Sequence, residues 1–282
     1  MAADDDTEEP GLEDETGGET TTPNEAADPE SVVAGKVPRD IQSRYEVLSY
    51  RNAAVILAET RAPEMADIWE ALRSFSITTD MIRRAGGNES DIPKMFSEVL
   101  RPKGWNETVI RGDLIVQLTW KEQVGLNARG KPKFAKRSAE TKRERYLDGH
   151  KIDYVKNRVA FDLDWNSKDQ TFDRDLYAFN AFFLSGAIDV GIIVTRGMSL
   201  TPAIRTMGQS LTKAGVPEFK TDKKTGKKVP RMTHEKYGAS TTWWGKLVYR
   251  LNAGRNGGCP ILALGITPKC ISDFSANNEP GS

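Results

Sequence analysis

The stretch AIDVGIIVTR, residues 187–196, limits this chain more than any other: it is too short to cross a membrane and too continuously apolar for a half-exposed strand. A strand of that composition has to be covered on both faces, an arrangement found in sheets with helices on either side. Just before it, DRDLYAFNAFFLSG sets Leu176, Phe179, Phe183 and Leu184 along one side of an expected helix, with Gly186 as its stop. Earlier still, HKIDYVKNRVAFDLDW reads as a β-hairpin turning at Lys156-Asn157-Arg158. Strand, helix and strand in that order form a crossover unit, so the expected fold class is an α/β sheet with flanking helices.

The flanks supply further elements. EMADIWEALRSF places Met65, Ile68, Trp69 and Leu72 at helical spacing as core. ESDIPKMFSEVLRPKGW does the same with Ile92, Met95, Phe96, Val99 and Leu100, with Ser90 or Asp91 as cap and Pro102 and Gly104 as stop. ETVIRGDLIVQLTW alternates after Gly112 and is strand-like, whereas NARGKPKFAKRSAETKRERYLDG and FKTDKKTGKKVPR read as basic loops. ASTTWWGKLVYRLNAG is expected to be a helix capped by Ser240 or Thr241 and ended by Gly254, with Trp243 and Trp244 in the core, and CPILALGITP a last strand.

Charge divides the chain. Of 40 acidic and 40 basic residues, twelve acids and one lysine fall in residues 1–38, so the remainder holds 39 bases against 28 acids. The tail, acidic and nearly free of aliphatic or aromatic side chains, cannot offset its ordering entropy by burial and is expected to be disordered; residues 39–282 are expected to form one main domain. A basic body favours a polyanionic partner, nucleic acid first. No apolar run reaches membrane-spanning length and no signal-like segment opens the chain, so a soluble, cytoplasmic protein with no membrane partner is expected. Cys259 and Cys270 lack metal-site or disulfide spacing and are read as quiet thiols, and His150 and His234 have no ligand-spaced partner.

The hairpin carries the chemistry. Residues two apart on a strand share a face, so Asp162, Asp164, Asn166 and Lys168 are expected on one side, within reach of Asp153 across the hairpin, with Phe161, Leu163 and Trp165 on the other. Carboxylates crowded in this way either take up protons or bind a cation, and an all-oxygen set suits Mg²⁺. The same alternation also fits a solvated strand face whose acids pair with Lys156, Arg158 and Lys168, and the residues alone leave both readings open.

An acid, a second acid nine residues later and a third polar residue two further on resembles the catalytic hairpin of PD-(D/E)xK nucleases. With DLDWNSKDQTFDRDLYAFNAFFLSGAIDVGIIVTR behind it, the chain over residues 88–268 resembles type II restriction endonucleases of the BglII and BstYI kind. The resemblance implies a mixed sheet flanked by helices. It also implies a homodimer hydrolysing double-stranded DNA at a short palindrome within a restriction-modification system, with catalytic Asp153, Asp162 and Asp164. Mg²⁺ would be held by Asp153, Asp162 and the Leu163 carbonyl, and Asp164 would orient the attacking water. The chain departs from the pattern twice: Asp162 stands where glutamate is usual, and Asp164 where lysine, glutamine or glutamate is usual. A repair or recombination nuclease of the same fold, or a non-catalytic DNA-binding homologue, are the alternatives.

For DNA contact, Lys136, Arg137, Lys142 and Arg143 in the first basic loop and Lys223 and Lys224 in the second suit phosphates. Ser240, Thr241 and Thr242 at a helix start, Arg196 at a strand end, and Asn166 and Lys168 beyond the acids are candidates for base or backbone contact. Glu98 is a further acid on an earlier helix, better suited to plain exposure.

Overall fold

In a computed structural model, residues 27–84, 91–238 and 240–274 are described. In chain order the elements are α1 (Glu30–Lys36), α2 (Arg39–Arg44), β1 (Tyr45–Tyr50), α3 (Ala53–Thr60), α4 (Ala62–Ser74), α5 (Thr79–Arg84) and α6 (Asp91–Leu100). Then come β2 (Asn106–Leu126), β3 (Pro132–Lys156), β4 (Val159–Asp164), α7 (Thr171–Leu184), β5 (Val190–Arg196) and α8 (Leu200–Thr206). The chain closes with β6 (Phe219–Thr221), β7 (Lys228–Pro230), α9 (Trp244–Asn252) and β8 (Ile261–Ile266).

Six strands hydrogen-bond in the order β1-β8-β5-β4-β3-β2. β4, β5 and β8 run parallel, while β1 joins β8 and β3 joins β4 antiparallel, so the sheet is mixed and α/β as expected. The crossover β4-α7-β5 forms as read from the sequence, and every residue of β5 and of β8 is buried. Close packing explains Gly191 in β5: a β-carbon there would stand 2.9 Å from both Phe179 and Ile261. On the other face Phe75, Phe96 and Phe161 stack in sequence, with centroids 5.0 and 5.2 Å apart, and join α4 and α6 to β4.

The described residues form two compact units, one of those up to 107 and from 152 onward, the other of 108–151. The second is a two-stranded antiparallel ribbon made by most of β2 and β3, with Asn127 to Lys131 closing its tip around Gly130 at φ 71°. The segment expected as a basic loop is therefore strand, because Phe134, Thr141 and Tyr146 among the charges suit an extended backbone as well as a loop. The second basic stretch likewise forms the small β6–β7 hairpin.

Other boundaries move. The folded part begins before residue 39: α1 buries Val33 in the main core, and the Asp28 carboxylate accepts from the Asn52 N–H at 2.9 Å. The rest of the expected tail, 1–26, and Ser90 lie outside the described residues. Helix α9 starts at Trp244, so Ser240 and Thr241 are not its caps. Leu184 is exposed and Phe172 and Phe182 take the buried face of α7. Both cysteines are free and buried, and burial pushes the Cys259 thiol up to about 12. Among the described residues no helix is long and apolar enough to cross a membrane.

Candidate active site

The site begins at a tight turn. Asn157 and Arg158 both adopt positive φ, 42° and 70°, the conformation that matches a two-residue hairpin turn to strand twist. Tyr154 then pairs with Phe161, Val155 with Ala160 and Lys156 with Val159, and one step further Asp153 lies opposite Asp162. The Asp153 backbone N–H donates to Asp162 Oδ1 at 2.9 Å. The opposite face of the same pair of strands is aromatic, Tyr154 meeting Phe161 edge-on at 5.5 Å, which is why the acids turn away from the main core.

Turn cations do not serve these acids. Lys156 Nζ donates to Asp67 at 2.7 Å and Arg158 Nε to Asp189 at 3.0 Å, so neither is spent on Asp153 or Asp162. Asp162 and Asp164 are instead buried, at 6% and 4% exposure, which removes the solvated-face reading for both. Burial raises the Asp162 carboxyl well above the ordinary range, with the charges of Asp175 and Asp153 adding to it. Burial also raises Asp164, helped by Asp175 and Asp162.

Asp175 is the residue that sequence reasoning missed. It sits on α7, buried, its carboxyl raised by burial and eased by neighbouring Asp164 and Arg174. The Arg174 guanidinium, itself exposed, donates to Asp175 Oδ1 at 2.9 and 3.0 Å. The signal was present in the helical spacing: Phe172, Asp175, Leu176 and Phe179 share one stripe, and an acid on an apolar stripe needs a reason.

Asp164 Oδ2 is buried with no hydrogen-bond partner, and Asp175 lies near enough to help raise the Asp164 carboxyl. Buried acids crowded in this way either take up protons or take a cation. Among the described residues no three acid, histidine or cysteine side chains surround one point as they stand. The donor chemistry nonetheless fits a hard divalent cation, being all oxygen, pre-buried and holding one orphaned acceptor.

The remaining candidates separate. The strand ends at Asp164, so Asn166 and Lys168 do not continue its acidic face: Asn166 Nδ2 donates to the Lys236 carbonyl at 3.1 Å, and exposed Lys168 bridges through its backbone to Thr241. Arg196, 1% exposed, is a structural tie in place of a base contact. Its guanidinium donates to the Trp165 carbonyl at 2.9 Å, the Thr242 carbonyl at 2.6 Å and Thr241 Oγ1 at 2.6 Å, and lies over the Tyr237 ring at 4.9 Å. Burial lowers its pKa to about 10. Thr242 is fully buried, its hydroxyl donating to the Asp164 carbonyl at 3.3 Å, so it and Thr241 brace the site from behind. Ser240 is exposed.

Lys223 and Lys224 are exposed at the β6–β7 turn. On the ribbon, Lys136 is exposed, Arg137 pairs with Glu122 at 2.6 Å, Lys142 with Asp113 at 2.8 Å, and Arg143 lies over Tyr146 at 5.5 Å. Glu98 is exposed on α6, whose Phe96 packs on the face of β4 opposite the acids.

A buried carboxylate hairpin joined to the parallel strands of a mixed α/β sheet is the frame of a restriction-type nuclease, and comparison of the sequence with protein families agrees. Residues 45–266 match the family Restriction endonuclease BglII/BglIII, and the chain belongs to that family. It is a restriction endonuclease, a nuclease acting on double-stranded DNA, of a family that generally uses divalent metal ions. No curated protein matches the chain.

Proposed function

We propose that the chain is a Mg²⁺-dependent type II restriction endonuclease that cuts both strands of DNA at a short palindromic site, as a homodimer within a restriction-modification system. The observation that supports this reading is the burial of Asp162 and Asp164 beside Asp153 and Asp175 with an orphaned acid oxygen, an arrangement costly to keep unless a cation is to enter it. Asp153, Asp162 and the Leu163 carbonyl hold the ion. Bound Mg²⁺ supplies charge stabilisation at the phosphate and acidifies water.

Asp164 orients the attacking water, with buried Asp175 beside it on α7. The water oxygen bonds to phosphorus as the P–O3′ bond breaks, leaving a 5′ phosphate and a 3′ hydroxyl; the water proton leaves to solvent and O3′ takes one from solvent. Asp162, one methylene shorter than the usual glutamate, keeps its carboxylate close to β4, where the Asp153 N–H fixes one oxygen. Exposed Lys136, Lys142, Lys223 and Lys224 hold phosphates, with Arg137, Arg143, Lys168 and Ser240 at their margins.

Incubation of plasmid with the purified protein and Mg²⁺ tests the reading. Discrete fragments are expected, lost in Asp153→Ala and Asp162→Ala while duplex binding persists. Intact plasmid with wild type over a range of metals, or full cutting by Asp162→Ala, overturns it.

A further inference from the structure

Arg174 meets the buried acids from the solvent side. It stands near the start of α7 with its side chain 73% exposed, while that of the next residue, Asp175, is 5% exposed. Successive residues on a helix do not face each other, so their contact is not a product of adjacency. The long side chain folds back around α7, and Nε and Nη2 both donate to Asp175 Oδ1, at 3.0 and 2.9 Å.

The bases nearby are committed elsewhere. Arg250 and Arg255 close on Asp173 at 3.0 and 2.6 Å, and Lys156 and Arg158 hold Asp67 and Asp189 at 2.7 and 3.0 Å. Arg174 is left to the acid cluster: burial raises Asp162, Asp164 and Asp175, and the Arg174 charge opposes that rise in each of them. A guanidinium carries five N–H donors in a rigid planar fork, and Asp175 takes two of them. Among the described residues nothing accepts from the rest of the fork, which is turned to solvent beside the acids.

The hairpin side chains Asp153, Asp162 and Asp164 are all acids and offer a phosphate no fixed positive charge. Hydrolysis of a phosphodiester gathers negative charge on the non-bridging oxygens as water adds, and a donor fixed in place beforehand stabilises that charge without reorganising. Arginine suits the task, being always charged and matched by its fork to phosphate oxygens.

We propose that Arg174 is a catalytic residue: anchored by Asp175, its guanidinium donates to a non-bridging oxygen of the scissile phosphate and stabilises the charge that grows there in the transition state. Asp175 is the positioning residue that holds the fork in place. The inference rests on the proposed function, which puts hydrolysis at Asp153, Asp162 and Asp164.

Single-turnover cleavage of plasmid with protein in excess, together with calorimetry of Mg²⁺ binding to the free protein, tests it. Arg174→Ala is expected to cut at least about a hundredfold more slowly at saturating Mg²⁺, the scale on which a lost charge-stabilising donor acts. Arg174→Lys keeps a charge without the fork and is expected to cut at a rate between those of Arg174→Ala and wild type. Mg²⁺ binding to Arg174→Ala is expected to match or exceed that of wild type, because the arginine charge opposes a cation at the same acids. Circular dichroism melts are expected to show both variants folded.

Cutting by Arg174→Ala within about tenfold of wild type overturns the inference and leaves the proposed function standing. A loss that excess Mg²⁺ restores, or Mg²⁺ binding weaker than wild type, assigns Arg174 to the cation site and also overturns it. A wild type that leaves plasmid intact over a range of metals overturns the proposed function, and the inference with it.

Discussion

The hairpin that carries Asp153 and Asp162 is tied to the rest of the sheet at its turn by one acid, and Asp189→Asn tests that tie. Asp189 precedes β5 and accepts from Arg158 Nε at 3.1 and 3.0 Å and from Arg61 Nε at 3.1 Å. The Arg158 hydrogen bonds, against some burial and with Arg61 assisting, hold its carboxyl down to about 2 from an ordinary 3.8. A depression of nearly two units corresponds to about 2.5 kcal/mol at about 1.36 kcal/mol per unit. The side chain is 27% exposed and Arg158 48%, so solvent screening reduces the contribution to about 1–2 kcal/mol.

Because the folded value lies below the unfolded one, this stability is fully present above about pH 4 and is lost as pH falls toward 2. In thermal melts at pH 7, Asp189→Asn is expected to lower Tm by about 3–6 °C, given roughly 2–4 °C per kcal/mol for a domain of this size. The gap should narrow steadily between pH 4 and pH 2.5. Asp91→Asn, which removes an 81%-exposed partner of Lys94, is the control and shifts Tm by less than about 1 °C. Equal melting of Asp189→Asn and wild type at pH 7, or a gap that does not change down to pH 2.5, refutes the argument.

Gly191→Ala should cost about 1–3 kcal/mol in urea unfolding, since its new methyl meets Phe179 and Ile261 at 2.9 Å with no free space to yield into. Arg196→Lys should destabilise by about 2 kcal/mol or more without relaxing sequence preference, because a lysine cannot span the carbonyls of Trp165 and Thr242 and the Thr241 hydroxyl together; altered cleavage specificity with unchanged stability would restore a base-reading role. Asp175→Asn, assayed with EDTA and then with Mg²⁺, should hold or raise Tm without metal, as it removes one of the buried acids crowded on Asp164, yet reduce plasmid cutting at least about tenfold. A variant that cuts normally would exclude Asp175 from the site.

The α/β class and its crossover were legible in the sequence because they rest on local pattern: a buried β5, an amphipathic α7 and a glycine stop are written residue by residue. The hairpin acids were legible for the same reason, period-two alternation setting Asp162 and Asp164 on one face. Asp175 was legible only in principle, since its place on an apolar stripe gains meaning when α7 is laid against β4. Tertiary structure alone decided the partners. Long-range packing gave Lys156 and Arg158 to Asp67 and Asp189 instead of to the hairpin acids, and closed Thr241 and Thr242 over Arg196. It also made a ribbon of a stretch whose charges read as loop, because whether an extended segment finds a pairing strand depends on chain far from it in sequence. Local periodicity fixes which way a side chain points; only the assembled fold fixes what it meets there.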